Sequence, residues 1–241
     1  ILSIYFDNLA PTIVINSPEN GSILDIGDNL LIDWSSQDDY AIKNTRLFYR
    51  NGQNWNAINN LLLNANYYTW LVPNEPTDEL ELMVIVEDSV GLVDSSIVSD
   101  LSIQISYPKI NNIYPPIGLI SYATNEINFY FSQSLDSSSI NSETIWLETQ
   151  SSNDLEYNIT YIDSLSKIKI SLSKLNCLDT VLFNISEDIS NVFGYSFDGN
   201  SDGVGGDGTV YEFSTSMLGD YNLDTMITIE DVSQFIINWE N

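Results

Sequence analysis

Histidine is absent from this chain of 241 residues, cysteine occurs once, and Lys and Arg together number 7 against 34 acidic residues. Without histidine there is no Ser-His-Asp or Cys-His nucleophile, no HExxH zinc motif and no imidazole-ligated metal. A carboxylate pair of the kind that cleaves glycosides is the one common catalytic device left open. A single cysteine cannot close a disulfide within the chain. Cys177, with Leu175 and Leu178 close by, reads as a buried small apolar residue rather than a reactive thiol. The shortage of basic side chains excludes nucleic acid as an expected partner, because phosphate contacts need clustered Lys and Arg. No apolar run approaches the roughly 18 residues of a membrane helix, so no membrane insertion is expected. The chain opens at Ile1 with neither Met nor a basic-then-apolar leader, and it stops at Asn241 soon after a helical pattern begins. It reads as a processed or partial piece of a longer polypeptide.

What is present is acid, aromatics and alternation. The net charge of −27 serves two readings: carboxylates that keep a surface hydrated, and carboxylates that ligate a hard cation and so relieve their mutual repulsion. A hydrophobic share of 43% with 12% aromatics is ample for packed cores and argues against disorder. A chain that has no disulfide must find stability elsewhere, and bound Ca²⁺ is one source.

Period-2 alternation runs through residues 11–106. Thr12 to Asn16, then Leu30, Ile32 and Trp34, then Leu47 and Tyr49, then Tyr68, Trp70 and Val72 each read as half-buried strands. Leu80, Leu82, Val84 and Val86 form the cleanest run, and Leu101, Ile103 and Ile105 mark a last strand. Asn51-Gly52 signals a hairpin, and Asp88-Ser89-Val90-Gly91 a turn. Residues 107–217 repeat the style without repeating the sequence. Ile127, Phe129 and Phe131 alternate, as do Ile145 with Leu147, Tyr157 with Ile159 and Tyr161, Ile168 with Ile170, and Val181 with Phe183. Short strands without helical period predict antiparallel sandwiches.

Pro11-Thr12-Ile13-Val14, Ser17-Pro18-Glu19-Asn20-Gly21, Gly27-Asp28, Trp34-Ser35, Asp38-Asp39 and Val86-Glu87-Asp88-Ser89 together resemble bacterial immunoglobulin-like modules. Phe131 to Asp136, Thr144-Ile145 and the closing Tyr211 to Thr215 resemble the bacterial Ig-like family of surface-layer proteins. The fold expected is therefore all-β: two consecutive antiparallel Ig-like β-sandwiches with a short C-terminal calcium loop and α-helix. The boundaries are a lead-in at 1–10, sandwiches at 11–106 and 107–217, and a loop with helix at 218–241.

The most specific motif begins at Asp220. Counting from it, Asp220, Asn222, Asp224, Thr228 and Asp231 offer side-chain oxygens at positions 1, 3, 5, 9 and 12, and Met226 offers a carbonyl at 7. Thr228 and Asp231 form a capping-box-like pair, and Val232, Phe235, Ile236 and Trp239 line one face of the helix that follows. The whole resembles one repeat of a type I dockerin, with Leu223 and Thr225 where glycine is usual and with no second repeat. A second signal, Asp198-Gly199-Asn200-Ser201-Asp202-Gly203, reproduces the first half of such a loop, but Thr209 stands at position 12; either Asp207 or a remote residue completes a calcium shell, or the stretch is a Gly/Asp-rich hairpin turn without metal. Asp38, Asp39, Asp88 and Asp94 fall in loops expected at one end of the first sandwich, where two readings stand: a gathering like the acidic loops of cadherin-like calcium sites, and, the reading preferred, solvated loop acids. Trp34, Trp55, Trp70, Tyr67 and Tyr68 read as cross-strand packing rather than a sugar platform, and Glu79 with Glu81 as a solvated edge rather than a catalytic pair.

The expected function is a non-catalytic, calcium-stabilised structural or adhesive module, extracellular or on a cell surface, that spaces and attaches parts of a larger protein. The alternative is an accessory region of a secreted carbohydrate-active enzyme whose catalytic domain lies outside this chain. Ca²⁺ is the expected cofactor. Expected partners are other domains or copies of the same surface protein, a cohesin-like domain, or cell-surface polysaccharide.

Overall fold

The apolar alternation of the first segment becomes eight strands: β1 (Thr12–Ser17), β2 (Ile23–Asp25), β3 (Asn29–Gln37), β4 (Ile42–Arg50), β5 (Asn56–Leu62), β6 (Tyr67–Leu71), β7 (Thr77–Asp88) and β8 (Val93–Gln104). The computed structural model describes residues 7–151 and 155–239. In β7, Leu80, Leu82, Val84 and Val86 are buried, whereas Glu79 stands in solvent and Glu81 pairs with Arg50. Each such buried Leu or Val stabilises the strand's inward face by about 1.5–3 kcal/mol, which pins the register, since a slip of one residue would turn every one of them outward. One sheet has the order β1-β3-β6 and the other β2-β8-β7-β4-β5. Trp34 on β3 and Trp70 on β6 are buried, with Trp70 stacked 5.1 Å from Tyr49. Trp55 lies under the Arg50 guanidinium at 4.7 Å. Trp34 and Trp70 are packing, as their phase implies; Tyr68 and Trp55 are half-buried, and Tyr67, expected to pack across strands, is instead 60% exposed at the start of β6.

The second segment supplies β9 (Ile110–Tyr114), β10 (Gly118–Ile120), β11 (Glu126–Phe131), β12 (Ile145–Thr149), β13 (Tyr157–Ile162), β14 (Lys167–Leu172), β15 (Thr180–Ile185) and β16 (Thr209–Thr215), followed by helix α1 (Ile229–Trp239). Its sheets run β13-β14-β11-β9 and β10-β16-β15-β12. Phe129, Phe183 and Phe213 form the centre of its core, with Phe183 at 5.8 Å from Phe129 and 5.1 Å from Phe213. Leu135 is buried and its N–H donates to the Tyr161 hydroxyl at 2.7 Å, while Asp136 accepts from the Ser138 N–H and opens a single 3₁₀ turn.

The two units, Ile1–Ser106 and Tyr107–Asn241, share a device. In each, the first strand pairs antiparallel within one sheet (β1 with β3, β9 with β11). The short strand that follows it then pairs parallel with the last strand of the other sheet, β2 with β8 and β10 with β16. One stretch of chain thereby joins both sheets and covers an edge that would otherwise offer unpaired N–H and C=O groups. The sheet order β1-β3-β6 against β8-β7-β4-β5, and β9-β11-β14-β13 against β16-β15-β12, is that of immunoglobulin-like sandwiches.

Candidate metal sites

Asp220 stands just beyond the last strand of the second sandwich and is buried; its Oδ2 accepts from the Thr225 N–H at 3.1 Å, and its Oδ1 has no hydrogen-bond partner. Within the loop, Asn222 accepts from the Asp224 N–H at 3.1 Å and donates to Asp224 Oδ2 at 3.0 Å, while Asp224 Oδ1 accepts from the Met226 N–H at 2.8 Å. Asp231, in the first turn of α1, closes the loop: Oδ1 accepts from Tyr221 and Asn222, and Oδ2 from the Thr228 N–H at 2.7 Å. The Thr228 hydroxyl accepts from the Glu230 N–H at 3.2 Å while Asp231 accepts from the Thr228 N–H, so the pair caps the helix reciprocally, with the hydroxyl bonded one residue earlier than in a full capping box. The Thr228 N–H, against the opposing effect of burial and with help from Tyr221 and Asn222, holds the Asp231 carboxyl below the usual carboxylate range. Asp220, Asn222, Asp224, Thr228 and Asp231 thus belong to one loop, although the carboxylates of Asp224 and Asp231 are turned to backbone N–H donors rather than drawn together around a point.

The loop at Asp198 lies between β15 and β16 and repeats most of this bonding, with the difference that Asp198 Oδ1 accepts from the Asp202 N–H at 3.1 Å where Asp220 Oδ1 has no partner. Gly203 N–H donates to Asp198 Oδ2 at 3.0 Å as Thr225 does to Asp220. Asp202 N–H donates to Asn200 at 2.8 Å, Asn200 donates to Asp202 Oδ2 at 3.3 Å, and Val204 N–H donates to Asp202 Oδ1 at 2.9 Å. Ser201 and Leu223 occupy the same place with φ of 61° each, and Gly203 and Thr225 the next left-handed position. Asp207 fills the closing role: it accepts from the Asn200 N–H at 2.8 Å, as Asp231 accepts from Asn222. Here the carboxylates do converge, since Asp198, Asp202 and Asp207 each bring one oxygen within 4.8 Å of the others. Asp198 is buried, Asp202 exposed and Asp207 half-buried. Gly199 permits the closure, because a Cβ there would stand 2.7 Å from the carbonyl of Gly208.

A third gathering lies in the first unit. Asp7, Asp38 and Asp39 also each place one carboxylate oxygen within 4.8 Å of the others. Asp94, expected with Asp38 and Asp39, instead accepts from the Ile13 N–H at 3.2 Å. Asp7 takes that place because β1 pairs with β3, Thr12 opposite Gln37, which lays the residues before Thr12 beside the loop after Gln37. An acid just ahead of the first strand was the available signal. Burial first, and then the charges of Asp39, Asp38 and Asp88, hold the Asp7 carboxyl above its ordinary range against the lowering effect of the Leu9 N–H.

Cys177 corrects the sequence reading: it is exposed, in the loop between β14 and β15, where Leu175 turns inward and the 73%-exposed Leu178 turns outward. The apolar face of α1 is also open, with Val232 and Ile236 about half exposed, while Phe235 packs on Tyr221 at 5.4 Å. The side chain of Trp239 lies outside the described residues.

No protein-family profile and no curated protein sequence matches this chain. Among solved structures it is similar to a chimeric titin Z1Z2 carrying an exogenous decorin peptide, at 9% identity over 88% of this chain and 100% of that one, with a TM-score of 0.43. It is similar also to the fibronectin(III)-like modules of Clostridium thermocellum CbhA, at 11% identity over 85% and 94% of the two chains, with a TM-score of 0.31. A third is the chicken CNTN1 FN1–FN3 fragment, at 12% identity over 88% and 68%, with a TM-score of 0.32. By the strand order and pairing of its own two units, the chain is a tandem of immunoglobulin-like β-sandwiches.

Proposed function

We propose that this chain is a non-catalytic, calcium-stabilised module of an extracellular or cell-surface protein, in which two sandwiches act as spacers and the loop with α1 as an attachment point. The observation that carries the reading is Asp220: a buried carboxylate with one oxygen unpartnered, at the first position of a loop whose ligand spacing suits Ca²⁺. Leaving a buried charged oxygen unsatisfied costs more than the 1–3 kcal/mol typical of a neutral group, so an oxygen-seeking cation fits the place. The donor set is all oxygen, with neither imidazole nor thiolate, which suits a hard cation.

Asp220, Asn222, Asp224, the Met226 carbonyl, Thr228 and Asp231 would hold one ion; Asp198, Asn200, Asp202 and Asp207 would hold a second. Bound Ca²⁺ supplies positive charge that neutralises clustered carboxylates and fixes the loops. The residues do the rest. Asp231 ties the loop to the first turn of α1, and Asp207 ties β15 to β16. The half-exposed face of α1 supports docking of a partner helix, of the kind a second dockerin-like repeat or a cohesin-like domain would offer. The lack of histidine and the engagement of Glu81 with Arg50 support the non-catalytic reading.

Calcium titration of wild type and Asp224→Ala, by calorimetry and thermal melting, tests it. At a hundredfold excess over its dissociation constant, Ca²⁺ is expected to stabilise the second unit by about 2.7 kcal/mol per site. Equal stoichiometry and affinity in the two proteins would sink the assignment of the Asp220 loop. Turnover on a panel of polysaccharides and peptides, abolished by changing one Asp or Glu, would overturn the non-catalytic part.

A further inference from the structure

We propose that the first sandwich carries a calcium site of its own, formed by Asp7, Asp38 and Asp39 with Asp88 behind them, which clasps the segment before β1 to the loops at that end. It is independent of the loops at Asp198 and Asp220.

Converging carboxylates alone would be an acidic surface. What marks this place is the state of the oxygens. Asp88 is entirely buried; its Oδ1 accepts the N–H groups of Val90, Gly91 and Leu92 at 2.7–2.9 Å, and its Oδ2 has no partner. Its oxygens lie outside the 4.8 Å gathering of Asp7, Asp38 and Asp39, but Asp88 adjoins the loop that carries Asp38, since it stands opposite Ile42 and the Ser89 N–H donates to the Ala41 carbonyl. Asp7 Oδ2 and Asp38 Oδ2 are likewise shut off from solvent without a partner. The Asp38 Oδ1 is occupied by the N–H groups of Tyr40 and Ala41 at 2.9 and 2.8 Å. Asp7, Asp38 and Asp88 therefore each have one oxygen bonded to the backbone and one buried without a partner, and those of Asp7 and Asp38 belong to one gathering with Asp39.

The fold brings these segments together. Asp88 ends β7 opposite Ile42, the first residue of β4, and the Ser89 N–H donates to the Ala41 carbonyl, so the loop after β3 and the turn after β7 are stitched side by side. The pairing of β1 with β3 brings in Asp7. No basic side chain answers this charge: among the described residues Lys43 and Arg46 both pair with Glu87, and no Lys or Arg pairs with any of the four acids. Asp88 is buried, Asp7 and Asp38 are half-buried and Asp39 is exposed; like charges gathered without a counter-ion repel, and a divalent cation satisfies them together. An all-oxygen set drawn from three flexible segments suits Ca²⁺, which accepts six to eight oxygens in irregular geometry, better than the strict octahedron of Mg²⁺.

The test is calorimetric titration of the full chain with calcium chloride after chelation, comparing Asp7→Asn/Asp39→Asn with wild type, each also carrying Asp224→Ala. These two acids are chosen because neither braces the fold as Asp88 does. The double variant is expected to lose one equivalent of calcium in both backgrounds. Its first unfolding transition, reported by Trp34 and Trp70 fluorescence, is expected to lose its calcium-dependent shift. Unchanged stoichiometry together with an unchanged shift would overturn the site. Failure of the Asp220 loop would show only in the Asp224→Ala comparison, so the two assignments fall separately. Should the double variant not fold, terbium decides. Tyr40 adjoins Asp39 and is 71% exposed, so Tyr40→Phe should lower sensitised terbium luminescence at least twofold without changing calcium binding. Luminescence equal to wild type would again overturn the site.

Discussion

Thr225 holds φ at 69° at the place in its loop where Gly203 holds 91° in the other. A β-branched side chain in the left-handed region costs roughly 1–2 kcal/mol, whereas glycine adopts it freely. The hydrogen bond from the Thr225 N–H to buried Asp220 keeps it there. Thr225→Gly is therefore expected to relieve strain and, on the proposal that this loop holds Ca²⁺, to tighten that binding by about 1 kcal/mol, roughly fivefold. Isothermal titration against wild type checks the sign, and weaker binding would refute the strain assignment.

Gly199 and Gly203 serve the Asp198 loop differently, and substitution should separate them. An alanine methyl at 199 would meet the backbone of Asp207 and Gly208 at 2.7–2.8 Å and force apart the closure between Asp198 and Asp207. Gly199→Ala is expected to destabilise the second unit by about 1–3 kcal/mol. At Gly203 a methyl meets nothing within 4 Å, and only the φ of 91° resists it. Gly203→Ala should cost about 1 kcal/mol. Denaturant unfolding of both variants gives the order, and an equal or reversed order contradicts it.

Phe183, 0% exposed between Phe129 and Phe213, anchors the second core. Phe183→Ala is expected to cost about 3–5 kcal/mol. The core cluster to which Phe183 belongs draws on the second unit alone, so calorimetry should show that unit's transition move down while the first unit's stays. A shift of both would mean that the units unfold as one.

Asp136 gives the second sandwich a pH dependence of known sign. The Ser138 N–H holds its carboxyl below the ordinary range, with the Ser138 hydroxyl adding to this against slight burial. A folded-state pKa below the unfolded value, near 3.9, contributes stability that is present above that value and lost as pH falls through the lowered one. Asp136→Ala should therefore be less stable than wild type at pH 7, and the gap should close below about pH 4. Chemical denaturation at the two pH values checks this; a gap that widens in acid would reverse the assignment.

Much of this protein was settled by residues close together in sequence. Alternation placed the inward faces of β3, β7, β11 and β14, because in a pleated strand every second side chain meets the same surface. The Asp-x-Asn-x-Asp spacing determined the bonding of both acidic loops, since each of those side chains binds an N–H two to five residues ahead. Thr228 and Asp231 likewise cap α1 within three residues. Only the tertiary structure decided what depends on chain brought from afar. The three-residue strands β2 and β10 are too short to show a period, and they exist because the last strand of each unit lies alongside to receive them. Cys177 faces solvent because the chain turns at Cys177-Leu178, where Leu178 holds φ at 55°, whatever the hydropathy of its neighbours. Asp7 joins Asp38 and Asp39, and Asp94 does not, because strand pairing and not sequence proximity sets which carboxylates meet at the end of a sandwich.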